Sequence, residues 1–96
     1  MSDINLSLDA DSIRMKQICE AMSSLVRLEM LTLIGSGREL SHKEIAEVIG
    51  KSESSVSFHL RYLIDAGIVT ETSSKGTLGR IKKVPAISLK KIVIEL

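Results

Sequence analysis

A mainly α-helical fold with a small β-hairpin is predicted by three features of the 96-residue chain. Apolar residues recur at helical spacing, with breaks, from about Asp11 to Gly67. Within that stretch, residues 41–69 hold two short amphipathic segments separated by one tight turn at Gly50. After Gly67 the period becomes that of strands, first Ile68–Thr72 and then Arg80–Val84, with a glycine-bearing turn between them. Helix, helix, helix-turn-helix and hairpin, in this order, is the layout of a winged helix-turn-helix. The plain alternative is an ordinary helical hairpin. The short turn and the wing-like segment after it weigh against that reading.

The chain is long enough for one domain, residues 1–96, with a modest core, and domains of this size often gain stability by dimerising. Hydrophobic residues make up 44% and aromatics 2%, so the core must be aliphatic, with Phe58 and Tyr62 the only aromatic rings of that class. A single cysteine excludes an internal disulfide and suits a reducing cytoplasm, the expected location. No apolar run approaches the ~20 residues of a membrane helix. Asp3 and the lack of a basic stretch before an apolar one argue against a signal peptide. The net charge of +1 hides an asymmetry. Residues 1–40 carry a balance of −2 and residues 41–96 one of +3. Between Thr72 and Lys91 stand Lys75, Arg80, Lys82, Lys83, Lys90 and Lys91 with no acidic residue. A polyanion would meet this half of the chain, although a solvated lysine surface would read the same way.

Taken in order, residues 3–9 alternate polar and apolar, placing Ile4, Leu6 and Leu8 on one face of a strand. Asp9 or Asp11 then opens a helix to about Met22, with Ile13, Ile18, Cys19 and Met22 on its apolar side. A thiol on such a side is usually buried and inert. Ser24 caps the next helix, Leu25–Ile34, which is apolar nearly all round and therefore expected to be central and buried. Ser41 and Glu44 form a capping box for the third helix. Its apolar face is Ile45, Ala46, Val48 and Ile49, and Gly50 closes it in a left-handed turn. Ser52 recaps the chain at once. The fourth helix is expected to bury Val56, Leu60, Leu63 and Ile64 and to end at Gly67. Residues 73–79 read as the hairpin turn, and Pro85 either ends the hairpin or lies on an edge, since it lacks a backbone donor. Residues 89–96 fit a helix or a strand, and the β-branched run Ile92-Val93-Ile94 favours the strand. Residues 3–8 and 90–96 are then expected to pair, within one chain or across a dimer.

Residues 21–70 resemble the ArsR-type winged-helix repressors. The segment from Ala21 to Leu31 carries the family's Arg-Leu pair as Arg27 and Leu28. Ser57-x-His59-Leu60, with Ala66-Gly67-Ile68-Val69 further on, resembles the recognition helix and the start of the wing. The likeness covers about half the chain and implies a DNA-binding homodimer that controls transcription. There are departures. Leu25 stands where the family often has proline, and Phe58 where it often has a polar or basic residue. The metal-sensing members carry Cys-x-Cys at the start of the third helix, whereas residues 39–44 here contain no cysteine. Metal sensing by that route is unsupported. The wing lacks the family's aromatics, and the segment after Pro85 lies outside the resemblance.

The candidate DNA-binding residues follow from this layout. Opposite the apolar side of the recognition helix lie Ser54, Ser55, Ser57, Phe58 and Arg61, with Ser52 at its start. Short hydroxyls at a helix N-terminus reach base edges or phosphates without steric cost, and they are permissive readers. Arg61 can reach a phosphate or a guanine. Glu53 stabilises the helix start or accepts from cytosine, the first being favoured. Lys43 and Lys51 flank the turn and can hold the backbone, and Lys75 and Arg80 sit in the wing, where they can enter the adjacent minor groove or grip phosphate. His59 has two readings, an imidazole bonded at the base of the helix or a DNA contact. His42, in the first turn of its helix, reads as simply exposed. Phe58 either meets a thymine methyl or packs against the wing or a partner subunit.

Two histidines and one cysteine have no zinc-site spacing, and no nucleophile–base pair or phosphate-cradling loop is visible. The expected function is therefore a sequence-specific double-stranded DNA-binding regulator of transcription, a repressor acting as a homodimer, with no enzymatic activity, cofactor or membrane partner. A winged-helix module for an acidic protein partner is the alternative. Ile13, Ile18, Met22, Ile92 and Ile94 are the candidate dimer contacts.

Overall fold

The structure, a computed structural model, describes residues 2–75 and 79–96. The elements are β1 (Ser2–Ser7), α1 (Ser12–Met22), α2 (Leu25–Ile34), α3 (His42–Ile49), α4 (Glu53–Asp65), β2 (Val69–Lys75), β3 (Ile81–Ile87) and β4 (Leu89–Glu95). This is the predicted winged helix-turn-helix. β2 and β3 form the antiparallel wing, from Val69 opposite Ile87 to Lys75 opposite Ile81. β1 and β4 pair in parallel within the one chain, Ile4 opposite Ile92 and Leu6 opposite Ile94. The β-branched run thus takes the strand option.

Local chemistry sets the helix-turn-helix. Ser41 Oγ accepts from the Glu44 N–H at 3.2 Å, and Glu44 Oε1 accepts from the Ser41 N–H at 2.9 Å, completing the capping box. Gly50 ends α3 with φ of 70°, and the Lys51 N–H then reaches back to the Ala46 carbonyl at 3.0 Å. A side chain at that φ would be strained, so glycine belongs there. Ser52 Oγ accepts from the Ser55 N–H at 3.1 Å and starts α4. Ala46 and Val56 are both buried where the two helices pack together.

The core is aliphatic, as the composition requires. Met30, Ile45, Val56, Leu60, Leu63 and Val69 are fully buried. Leu6 joins them from β1, and Ile4, Leu89 and Ile92 pack at the margin, so the terminal ribbon attaches by one face. The root of the wing is tied to β4 through the Ile68 carbonyl, which accepts from the N–H groups of Ser88 at 2.8 Å and Leu89 at 3.3 Å.

Several details differ from the sequence expectation. The buried stripe of α1 is Met15, Ile18 and Ala21, with the small Ala21 turned inward in place of Met22. Ile13 is therefore 79% exposed, and Cys19 is exposed, not a buried thiol. α2 is not covered on all sides: it buries only Arg27, Met30 and Ile34, and Leu25 is 85% exposed. A chain this small covers one face of that helix only. Val48 is exposed and Ile64 half-buried. Ser73, Ser74 and Lys75 belong to β2, not to a turn, because they pair with Lys83, Lys82 and Ile81. Of the rest of the expected turn, residues 76–78 lie outside the described residues, and Gly79 has a φ of 73°. Pro85 sits inside β3 opposite Glu71, and the hairpin runs on to Ile87. A two-stranded ribbon tolerates a missing donor on its outer edge.

Candidate nucleic-acid interface

One side of α4 is seated on the core through Val56, Leu60 and Leu63. The opposite side presents Ser54, Ser57, Phe58 and Arg61 as exposed residues, with Ser55 half-buried. The exposed Ser52 and Ser54 hydroxyls lie 3.2 Å apart at the helix start. Their position at the positive end of the helix dipole suits an anionic group. Phe58 is 59% exposed, and its ring meets His59 and Tyr62 edge-on at 5.3 and 5.5 Å between centroids. It thus belongs to an aromatic row on its own helix. Lys43 and Lys51 are exposed on either side of the turn, and Lys75 and Arg80 are exposed in the wing.

The orientation of α4 is held by Arg27, which is 8% exposed. Its Nε donates to the Ala21 carbonyl at 2.8 Å and its Nη2 to the Glu20 carbonyl at 2.9 Å. These are C-terminal carbonyls of α1, a favourable place for a cation. Nη1 lies 2.9 Å from His59 Nδ1, and the guanidinium sits over the Tyr62 ring at 4.3 Å. A guanidinium only donates, so Nδ1 is the acceptor and the imidazole hydrogen is on Nε2. His59 is thus bonded at the base of the helix through Nδ1, which leaves Nε2–H as its free donor. Burial pushes its pKa below the ordinary 6.5, and the nearby Arg27 and Lys51 charges add to the effect.

His42 is not simply exposed. Its Nδ1 lies 2.9 Å from Ser57 Oγ and its Nε2 lies 3.2 Å from Glu71 Oε1. A carboxylate accepts, so with a neutral ring Nε2–H donates to Glu71 and the Ser57 hydroxyl donates to Nδ1. One imidazole thereby links α3, the outward side of α4 and the wing. Two further bonds dock the wing. Lys82 pairs with Glu44, and Ser74 Oγ donates to Glu39. The Lys82 ammonium, followed by the Ser41 N–H, holds the Glu44 carboxyl down to about 2. Lys82 is thus engaged within the chain, while Lys83 joins Lys75 and Arg80 as an exposed wing cation.

Of the candidate dimer contacts, Ile13, Met22 and Ile94 are exposed, Ile92 is half-buried, and Ile18 is in the core of its own chain. An open apolar groove lined by Met22, Leu31, Ile68, Ile87, Leu89 and Ile92 runs between the helices and the ribbon. Among the described residues no three His, Cys, Asp or Glu side chains gather as a metal site, and no helix is long and apolar enough to cross a membrane. Residue-by-residue reading missed Arg27 as a hub. The signal was a cation set between apolar Val26 and Leu28 in a helix whose remaining charge is Glu29, and a cation in a largely apolar segment usually has partners. The His42–Ser57–Glu71 link had no local signal, since its members are 15 and 29 residues apart.

Acid should weaken the fold in two windows. The folded value of His59 lies below 6.5, so the unfolded chain binds the proton first. Stability is full above 6.5 and falls as the pH drops from there toward the lowered value. Glu44 works in a lower window: its contribution is present above 4.5 and is lost as the pH falls through about 2. Urea midpoints measured between roughly pH 7.5 and 2 check this. His59→Gln should flatten the upper window alone, and Glu44→Gln the lower.

Residues 25–71 match the profile of the family described as bacterial regulatory protein, arsR family. Among solved structures, reduced HlyU from Vibrio cholerae N16961 superposes with a TM-score of 0.68 at 23% identity, over 86% of this chain and 81% of that one. A second HlyU structure from the same organism gives 0.65 at 24% identity, over 85% and 83%. At these identities the likeness is one of fold. Comparison with curated proteins gives no match. The matched segment spans α2, α3, α4 and the first residues of β2, and in it the chain carries the helix-turn-helix of the arsR family of bacterial regulatory proteins, which are DNA-binding regulators of transcription.

Proposed function

We propose that this protein is a sequence-specific double-stranded DNA-binding repressor that acts as a homodimer. The observation that carries the reading is the outward side of α4. Three serines, Phe58 and Arg61 stand away from the core on a helix whose other side is fully seated, beside a wing with exposed Lys75 and Arg80. α4 enters the major groove, with Ser52, Ser54, Ser55 and Ser57 meeting base edges and phosphates near its start. Arg61 takes a guanine or a phosphate one to two turns on. Phe58 meets a thymine methyl, and the His59 Nε2–H donates to the backbone. Lys43 and Lys51 hold phosphates at the turn, and the wing cations hold those of the adjacent groove. Two-fold symmetry sets two α4 helices ~34 Å apart on a roughly palindromic site, whose occupation blocks transcription.

Selection of bound fragments from a random duplex pool tests this directly. A palindromic consensus is the expected product. On that consensus, Arg61→Ala and Phe58→Ala should each lower affinity about tenfold while costing less than ~1 kcal/mol of stability, since both side chains are exposed. A pool that shows no enrichment, or variants that bind as the wild type does, would refute the reading.

A further inference from the structure

The β1–β4 ribbon is a parallel pair of only two strands among the described residues, and its two outer edges are not alike. The Leu8 N–H donates to the Glu95 carbonyl at 3.2 Å. The N–H and C=O of one strand residue point to the same edge, so Lys91, Val93 and Glu95 face β1. Lys90, Ile92 and Ile94 then turn their backbone groups outward. On the other side, the Ser7 N–H donates to Asp11 Oδ2 at 2.9 Å and the Ser7 carbonyl accepts from the Asp11 N–H at 2.9 Å. The end of the β1 edge is therefore closed by its own chain, and β4 offers the open one. Open edges of this kind pair with other strands unless they are blocked.

Building on the homodimer reading, we infer that the outer edge of β4 pairs antiparallel with β4 of a second copy, giving a four-stranded sheet ordered β1-β4-β4-β1 across the two-fold axis. The side chains select the register. Backbone direction allows only even-numbered residues to face even-numbered ones, and odd to face odd. Within that restriction, only a register centred on Val93 places a lysine opposite Glu95, namely Lys91 of the second copy. Symmetry repeats the ion pair on the other side of the axis. The same register sets Ile92 against Ile94 and Ile94 against Ile92, a match of β-branched residues. It also extends the apolar face of the ribbon beyond the part its own helices cover, where Leu8 and Ile94 are exposed and Leu96 is 99% exposed. β1 offers no such pairing with itself, because its only charged residue is Asp3.

The test uses the full chain. Sedimentation first reads the oligomeric state at the concentration that saturates duplex DNA. A monomer there overturns the homodimer reading and this pairing together. In a Cys19→Ser background, Val93→Cys should then cross-link into covalent dimers on oxidation, because non-hydrogen-bonded pairs across an antiparallel axis lie within disulfide reach. Glu95→Lys alone and Lys91→Glu alone each set like charges face to face, and each should weaken the dimer about tenfold. An equal mixture of the two should regain wild-type affinity as a heterodimer, which two chains that had failed to fold would not do. A wild-type dimer whose strength is indifferent to both charge changes, and which Val93→Cys does not cross-link, overturns the β4 pairing while leaving the homodimer in place.

Discussion

Affinity for the selected duplex should fall about 10³–10⁵-fold between roughly 50 and 200 mM salt. Charge placement sets this dependence. Lys43, Lys51, Arg61, Lys75 and Arg80 are exposed on the turn, α4 and the wing. Doubled by a two-fold axis, they can neutralise ~6–10 phosphates, and each neutralised phosphate releases condensed counterions. A plot of log affinity against log salt should therefore be linear, with a slope of about −5 to −9. Lys75→Ala or Arg80→Ala should make the slope shallower by roughly one phosphate per chain. Lys82→Ala should behave differently. Its ammonium is committed to Glu44, so its loss should loosen the wing from α3 and lower stability near neutral pH more than it changes the slope. Fluorescence anisotropy over a salt series reads all of these, and a flat salt dependence would remove the phosphate-gripping role of the wing and turn.

Arg27→Ala should cost about 3 kcal/mol of stability, as much as truncating a buried core side chain. Truncation strands the Glu20 and Ala21 carbonyls and His59 Nδ1, all now paired with one guanidinium, and it removes the cation over Tyr62. For a domain of this size the thermal midpoint should drop by about 12–24 °C. Arg27→Lys should recover little, because a single ammonium cannot span two carbonyls and an imidazole with the geometry of a planar fork. The His59 pKa should rise in Arg27→Ala, since a neighbouring positive charge is gone, and imidazole NMR titration checks that independently of unfolding. A variant that melts with the wild type would show that α4 is held by packing alone.

The two results concern different levels of the same device. The salt slope reports the charges turned toward a duplex. Arg27 reports the anchor that fixes the direction in which α4 presents them. In the sequence, Arg27 was legible only as half of the Arg-Leu pair shared with the family. Its role depends on the end of α1, six and seven residues away, and on His59, 32 residues away. His42 was misread for the same reason. Its partners Ser57 and Glu71 lie on other elements, and nothing near it in the chain announces them.

What could be read from sequence alone was local in origin. The capping box at Ser41 and Glu44, the left-handed Gly50, the cap at Ser52, the change of period after Gly67 and the strand character of Ile92–Ile94 each depend on groups within a few residues. Such interactions survive whatever the rest of the chain does. Only the tertiary structure decided which way α1 is turned, so that Ala21 points in and Cys19 out, and how far α2 is left uncovered. The same holds for the commitment of Lys82 to Glu44 and for the parallel pairing of the two termini. These outcomes are set by competition among distant surfaces for a limited core. A periodic pattern specifies that a helix has an inner side, but a rotation of one residue costs little until the neighbouring helices are in place.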